Sequence, residues 1–263
     1  MGSASTQALG TIVAALDAEK AVDLETTQEL FSAARVIGES SHLSGALADP
    51  TASLESRSRL VSDIFGSSFQ PATIALLTSV VGQRWSNSAD LVDGIEELAV
   101  RAAAVADKRV DVEGELFRVS RLVAENPQLE LALGSRLGDT SAKGALVHKL
   151  LDGRANTATA LIVAALVQQP RERRVRQLLS RAMQIVSDQR GRTVATVVTA
   201  TPLSLGQQNR LIDTLSRRYG SGVSLNEVLD PAVVGGLRVQ IGDDVIDGSI
   251  ASRLADLRQK IAG

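Results

Sequence analysis

Few residues in this chain combine the type and the spacing that catalysis or metal binding requires. The two histidines, His42 and His148, lie far apart, and the absence of cysteine excludes disulfides, thiolate metal sites and cysteine nucleophiles. Asp243 and Asp244 are adjacent, but they fall in a predicted turn, where neighbouring carboxylates are more often hydrated than bound to a metal. We therefore predict no catalytic residue, no bound metal and no cofactor.

The glycines and lysines do not form a phosphate-binding loop. None of the five lysines precedes serine or threonine, so the Gly-Lys-Ser/Thr motif of nucleoside triphosphate sites is absent. Gly235, Gly236, Gly242 and Gly248 lack the spacing of a dinucleotide fingerprint at the start of a helix. We expect these glycines to provide turn geometry instead.

The densest run of charge is basic. Glu172 interrupts it and residues 178–179 are both leucine, which predicts the start of an amphipathic helix. Its arginines either form a solvated face or dock on an acidic partner. Without interleaved aromatic residues that could stack on bases, nucleic acid is not the expected partner. The arginines are Arg171, Arg173, Arg174, Arg176 and Arg181.

The composition is typical of a soluble protein with helical cores. A length of 263 residues predicts about two domains. Only 2% of the residues are aromatic, so leucine, valine, isoleucine and alanine must fill the cores, and a net charge of −2 does not suit a general nucleic-acid binder. The uncharged stretch over residues 66–83 is too short and too polar to span a membrane, and no signal peptide is evident. We expect a cytoplasmic protein without direct membrane insertion.

Apolar residues recur at helical spacing over residues 5–190. The sequence Thr26-Thr-Gln-Glu29 predicts a capping box, in which Thr26 caps a helix and Glu29 bonds back to the cap amide. Pro71 fits the first turn of a later helix, where its missing amide hydrogen has no cost. A long alanine-rich helix is expected over residues 88–108.

The helical pattern repeats at a spacing of 86 residues. Of the 55 positions from 29 to 83, 14 are identical to the residue 86 positions later, without a gap. We interpret this as a tandem duplication of a helical module, in which the helix near 90–108 closes the first copy and opens the second. The identities include Glu29-Leu30-Phe31 with Glu115-Leu116-Phe117, Arg35 with Arg121, Glu39 with Glu125, and Ala72-Thr73 with Ala158-Thr159.

After residue 191 the pattern changes from helix to strand. Residues 193–201 are rich in β-branched types, and residues 223–228 and 237–241 alternate between apolar and polar types, which predicts three strands. Residues 204–207, Ser-Leu-Gly-Gln, predict a second capping box, and Ser249 is expected to cap a final helix.

The predicted fold class is α + (α+β), with tandem helical bundles followed by a small α+β domain. The first bundle is predicted over residues 1–104. The second is predicted over 105–190 and shares the 90–108 helix, and the small domain is predicted over 191–263.

The end of the chain carries a dense motif: Asp-Pro, two adjacent glycines, a further glycine, and Asp-Gly-Ser before a final helix. This pattern resembles the signature of the ATP synthase δ subunit family, whose mitochondrial counterpart is the oligomycin sensitivity-conferring protein. The resemblance is specific over about 190–263 and looser over the helical region. The motif consists of Asp230, Pro231, Gly235, Gly236, Gly242, Asp247, Gly248, Ser249, Arg253 and Leu254.

The resemblance implies a non-catalytic stator subunit of the F-type, proton-translocating ATP synthase. The helical bundle would bind α subunits of the catalytic head, and the C-terminal domain would bind b-type subunits of the peripheral stalk. The chain would then lie peripherally at the cytoplasmic face of the plasma membrane, held through the stalk. Its excess of arginine over lysine suggests an actinobacterial source.

This chain departs from the usual member of the family in having two predicted bundles. The second copy is joined directly to the C-terminal domain, as the single bundle normally is, and is by position the better candidate for head binding. The alternative function is a helical adaptor in transcription or RNA handling, which would use the basic stretch. A hydrolase or transferase is a third reading, for which no nucleophile and base are arranged.

Overall fold

The computed structural model describes residues 2–135, 139–171, 173–220, 222–233, 235–242 and 244–248. The chain divides into two compact units, 1–186 and 187–263. Helices build the first unit, and the described residues of the second form a four-stranded sheet and one helix. The predicted fold class is confirmed. The division of the first unit into two bundles stays a prediction.

Short loops connect the helices of the first unit. Within the described residues the helices are α1 Ser3–Ala18, α2 Leu24–Glu39, α3 Ser41–Ala48, α4 Leu54–Phe65, α5 Pro71–Gly82, α6 Ser88–Ala106, α7 Val112–Glu125, α8 Pro127–Gly134, α9 Thr140–Leu151, α10 Thr157–Gln168 and α11 Val175–Gln189. Pro71 begins α5, as predicted.

The cap of α2 differs from the predicted one. Asp23 is the N-cap, and its Oδ1 accepts hydrogen bonds from the Thr26 amide at 2.8 Å and the Thr26 hydroxyl at 3.0 Å. The bond from the Thr26 amide lowers the pKa of the Asp23 carboxyl. The predicted box of Thr26 and Glu29 is wrong because the Asp23 carboxylate, a stronger acceptor than a hydroxyl, begins the helix three residues earlier.

Helix α6 is buried on almost every side and lies at the centre of the first unit. It contacts α1, α2, α3 and α5 and also α10. Leu91, Ile95 and Leu98 lie in the core that α6 shares with α1 to α5. Val100 and Leu166 line a small cleft between α6, α10 and α11. A helix whose residues are buried on most sides must be covered by several other elements, and its charged residues must find partners there.

The helices recur at the spacing found in the sequence. α3, α4 and α5 begin and end 86 residues before α8, α9 and α10, and α2 ends 86 residues before α7. Burial follows the same offset, since Leu47 and Leu133 are both buried, as are Val61 and Val147. We call α2–α5 the first set and α7–α10 the second set.

Each set contains a carboxylate that caps a helix three elements further along. Glu29 on α2 accepts bonds from the N-cap amide of α5, at 3.0 and 3.1 Å, and from the hydroxyl of Thr73. Glu115 on α7 accepts bonds from the N-cap amide of α10 at 2.9 Å and from the Thr159 hydroxyl at 2.6 Å. Each negative charge thus meets the positive end of a helix. This contact gives the repeated glutamate and threonine the same structural role in both sets.

The second unit is a mixed sheet with a helix packed on one face. The strands are β1 Arg192–Thr199, β2 Gly222–Leu229, β3 Leu237–Ile241 and β4 Asp244–Asp247, in the order β2-β1-β3-β4. β1 is parallel to β2 and antiparallel to β3, and β4 is antiparallel to β3. The parallel pair requires a crossover, which α12, Leu205–Tyr219, supplies.

The three strands predicted from the sequence correspond to β1, β2 and β3. Val197 of β1, Val239 of β3 and Leu215 of α12 share one apolar core. Ser204 and Gln207 form the predicted capping box at the start of α12. The final helix predicted from Ser249 lies outside the described residues.

Three glycines in the turns on either side of β3 adopt the left-handed backbone conformation. Gly235, Gly236 and Gly242 have φ of 66°, 80° and 55°, which confirms that they serve turns. Residues other than glycine rarely adopt this conformation, because their Cβ atom is crowded there. The turn before β3 and the turn from β3 into β4 therefore depend on glycine.

Replacing Gly236 with alanine is expected to destabilise the second unit by about 1–2 kcal/mol, because a Cβ in the left-handed region approaches the following carbonyl oxygen. The measurement is chemical unfolding of the full chain followed by fluorescence of Tyr219, the single tyrosine, which packs against the core of this unit. The matched control is Gly206→Ala within α12, where an added Cβ meets nothing within 4 Å. That control should raise stability by about 0.5–1 kcal/mol, and equal effects at both positions would contradict the backbone argument.

Candidate partner-binding surfaces

The first part of the basic stretch is paired with α6. Arg171 and Arg173 lie before α11 and both bond to Glu96, with Arg173 Nη2 2.8 Å from Glu96 Oε1. Arg171 also lies 3.0 Å from Asp93 Oδ1. Both arginine side chains are only about a quarter exposed, at 27% and 26%. The acidic partner of these two arginines is therefore within the chain.

A second ion pair network ties α11 to α6. Glu97 Oε1 lies 2.7 Å from Arg101 Nη2, and Glu97 Oε2 lies 3.1 Å from Arg181 Nη2. The side chains of Glu97 and Arg101 are 6% and 11% exposed, whereas that of Arg181 is half exposed. Because water screens buried charges weakly, the pair of Glu97 and Arg101 carries most of the electrostatic energy of this network.

The outward part of the basic stretch borders an open groove. Arg176 pairs with Glu130 at 3.1 Å, and Arg174 is exposed. They line a groove of about 640 Å³ between α8 and the start of α11. Leu131, 74% exposed, also lines the groove. The prediction that Arg171, Arg173, Arg174 and Arg176 face a partner stays a prediction, and of the four Arg174 and Arg176 are exposed.

The first and second sets meet in a seam between α2 and α10. Arg35 Nη1 donates to Gln168 Oε1 at 3.4 Å, and Gln169 Nε2 donates to Glu39 Oε1 at 3.1 Å. Phe31 borders a cavity of about 250 Å³ beside these bonds. The seam is thus a helix–helix contact with hydrogen bonds at its rim and an incompletely filled cavity of mixed polar and apolar lining.

The two histidines lie at the surface of the first unit. His42 and His148 are exposed, and His148 borders the seam cavity. Among the residues that the structure describes, no group of three histidine, aspartate or glutamate side chains could hold a metal ion.

The described residues of the C-terminal motif shape the turns of the sheet. The Asp230 amide donates to the Thr199 carbonyl at 2.9 Å, and its Oδ1 accepts from the Ala232 amide at 2.9 Å. Pro231 is exposed in the turn that follows β2. The Gly248 amide donates to the carbonyl of Leu237 at 2.9 Å.

The rest of the motif lies at the edge of the sheet or outside the described residues. Asp247 of β4 lies opposite Arg238 of β3 in the backbone register of the two strands. Ser249, Arg253 and Leu254 are outside the described residues. The contacts of Asp230, Asp247 and Gly248 thus lie within the sheet and its turns, and a structural role for the whole motif stays a prediction.

Comparisons with known proteins identify the family. The family model described as "ATP synthase delta (OSCP) subunit" matches residues 98–261. The chain is 47% identical to "ATP synthase subunit delta" of Leifsonia xyli subsp. xyli over 265 residues, which cover 100% of both chains. It is 42% identical to "ATP synthase subunit delta" of Streptomyces avermitilis, with 94% of this chain and 93% of the relative covered. This chain belongs to the ATP synthase delta (OSCP) subunit family.

The chain is therefore a subunit of an ATP synthase. The family model begins inside α6 and covers the second set and nearly all of the second unit, which we call the sheet unit. We call the first unit the helical unit. The relative from Leifsonia xyli is matched over the whole chain, so the first set is shared with that delta subunit as well. In the described part of the chain, no helix has both the length and the hydropathy of a membrane span.

Sequence reasoning missed the acidic residues that pair with the basic stretch. Asp93, Glu96 and Glu97 lie on α6, far from the arginines in sequence. The helical adaptor alternative needed a free basic face, and this pairing within the chain removes most of it. One signal for this pairing was present in the sequence. The three acidic residues lie within about one and a half turns of a helix that is otherwise rich in alanine and other apolar residues, so they needed basic partners.

Proposed function

We propose that this chain is the stator subunit that joins the catalytic head of an F-type, proton-translocating ATP synthase to its peripheral stalk. The observation that carries the proposal is the similarity to ATP synthase delta subunits over the full length of the chain. A stator needs binding surfaces rather than reacting groups. The role is non-catalytic, since it consists in preventing the head from turning with the rotor while proton flow drives ATP synthesis.

In this proposal the helical unit binds α subunits of the head. The second bundle, residues 105–190, is the stronger candidate for the main head contact, because the family model covers it and it is joined directly to the sheet unit. The first bundle, residues 1–104, is then a tandem duplicate that extends the helical unit. The repeated helix bounds and the repeated Glu29 and Glu115 caps support a common origin.

The sheet unit, residues 191–263, is proposed to hold the b-type stalk. Among its described residues, three large apolar side chains are exposed: Leu205 at the start of α12, at 78%, and Leu229 and Val245 on the opposite edge strands β2 and β4, at 51% and 57%. We propose that Leu205, the most exposed of them, contacts the apolar face of an amphipathic helix, which is the expected form of a stalk end. Attachment to the membrane would then be indirect, at the cytoplasmic face of the plasma membrane and through the stalk.

Native mass spectrometry of the full chain mixed with the head, and separately with the stalk subunits, tests this assignment. One chain per head and binding to the stalk are expected. Leu205→Asp should weaken stalk binding roughly tenfold, the change expected for loss of about 1.4 kcal/mol, while head binding is retained. Since aspartate is favourable in the first turn of α12, folding should be unaffected.

The matched control is Leu54→Asp, which changes an exposed leucine of the helical unit, at 52%. This variant should bind the stalk as the unchanged chain does. A folded chain that joins neither the head nor the stalk would contradict the stator proposal. Loss of head binding but not of stalk binding by Leu205→Asp would reverse the assignment of the two units.

A further inference from the structure

One face of α2 is a helix-docking surface within the chain. Phe31, Arg35 and Glu39 are spaced by four residues and so lie along one side of the helix. This side receives the end of α10, where Arg35 donates to Gln168 at 3.4 Å and Glu39 accepts from Gln169 at 3.1 Å. An amide side chain both donates and accepts, so an arginine and a glutamate one turn apart suit two successive glutamines.

The same three residues recur on α7. Phe117, Arg121 and Glu125 stand 86 residues after Phe31, Arg35 and Glu39 and are identical to them. We call these three residues the α7 face. Arg121 and Glu125 are 43% and 61% exposed, and Arg121 Nη2 lies 2.9 Å from Glu125 Oε1 along the same helix. The sheet unit follows the second set, so the described part of the chain offers no third set to occupy the α7 face.

We propose that the α7 face docks the end of a helix from another subunit of the ATP synthase. The occupant has the chemistry that α10 presents to α2: small apolar side chains followed by glutamine or asparagine. The seam shows what each position contributes. Phe117 would cover the small apolar residues, Arg121 would donate to an amide oxygen, and Glu125 would accept from an amide nitrogen.

A second copy of this chain is a poor occupant. The surface that corresponds to α10 is α5, which has Ala75 where α10 has Leu161 and Gly82 where α10 has Gln168. Ala75 would make a smaller apolar contact with Phe117 than leucine does, and Gly82 has no side chain that could accept a hydrogen bond from Arg121. Gln83 keeps the amide that corresponds to Gln169, but the leucine and the acceptor for the arginine are lost, which favours a different subunit.

The α7 face can be tested with single cysteines, because the chain has none of its own. Ala124 is exposed between Arg121 and Glu125, and its counterpart in the first set is Gly38, beside the seam glutamines. The experiment compares the rate of maleimide labelling of Ala124→Cys in the free full chain and after assembly into ATP synthase lacking this subunit. Assembly should slow labelling about threefold, as expected for a thiol at the polar rim of an interface, since Gly38 stays exposed at the matching place in the seam.

The matched control is Ala145→Cys, an exposed alanine on α9 of the same set. Its labelling rate should stay the same after assembly. A photo-crosslinker attached to the thiol of the Ala124→Cys variant should then join a partner helix with small apolar residues followed by an amide. Crosslinking to a charged or non-helical segment would overturn the assigned chemistry.

This inference rests on the proposed function, and the experiment separates the two. If the unchanged chain does not assemble with the depleted enzyme, the proposed function fails. If both variants assemble but the Ala124→Cys thiol is labelled as rapidly as in the free chain, the α7 face is not an interface, while the stator function stands.

Discussion

Replacing Glu97 with alanine is expected to destabilise the helical unit by about 3–5 kcal/mol, the usual cost of removing one partner of a buried ion pair. The Glu97 side chain is 6% exposed and lies 2.7 Å from Arg101, which is itself only 11% exposed. The Arg101 guanidinium would lose this carboxylate in a region where water compensates poorly for the lost charge. The half-exposed Arg181 would lose less, because solvent already screens it.

The measurement is urea unfolding of the full chain followed by fluorescence of Trp85, the single tryptophan. Trp85 is buried, and its ring packs directly against Gly94, on the same helix as Glu97. The matched control is Glu55→Ala, which removes another i,i+4 pair with arginine, but one with side chains 84% and 72% exposed. That change should cost less than about 0.5 kcal/mol. Equal shifts from the two substitutions would contradict the importance of burial.

Elements determined by local sequence could be predicted from this chain. The strand over 237–241 alternates between apolar and polar residues, and β3 has the same bounds. The capping box of Ser204 and Gln207 and the first-turn position of Pro71 depend only on neighbours along the chain, and all are confirmed. The left-handed glycines at 235, 236 and 242 follow from the same kind of local reasoning.

Contacts between distant elements could not be predicted in the same way. The pairing of Arg173 with Glu96 depends on how α6 packs beside the start of α11, which hydrophobic periodicity does not specify. The error at Thr26 and Glu29 has a related origin. Glu29 stands three residues after Thr26, as the glutamate of a capping box does, but its carboxylate caps α5 and not α2. Its identity with Glu115 was visible in the repeat, but the distant amide that each glutamate binds was not.

Replacing Glu29 with alanine is expected to destabilise the first set by about 2–3 kcal/mol, because the N-cap amide of α5 and the hydroxyl of Thr73 would lose a charged acceptor. Thr73 is fully buried, so water cannot easily replace the carboxylate there. The same urea unfolding, followed by Trp85 fluorescence, measures the change. Glu25→Ala is the matched control, since Glu25 is exposed on the same helix and bonds to the Gln70 side chain at the surface.

Glu115→Ala makes the equivalent change in the second set and tests whether the two sets unfold together. Because α6 packs against helices of both sets, we expect one cooperative transition, with Glu115→Ala lowering the Trp85 midpoint about as much as Glu29→Ala. If Glu115→Ala left the Trp85 midpoint unchanged and instead shifted a separate transition seen by circular dichroism, the sets would be independent folding units. The second bundle could then unfold while the first stayed folded, and α6 would not couple them.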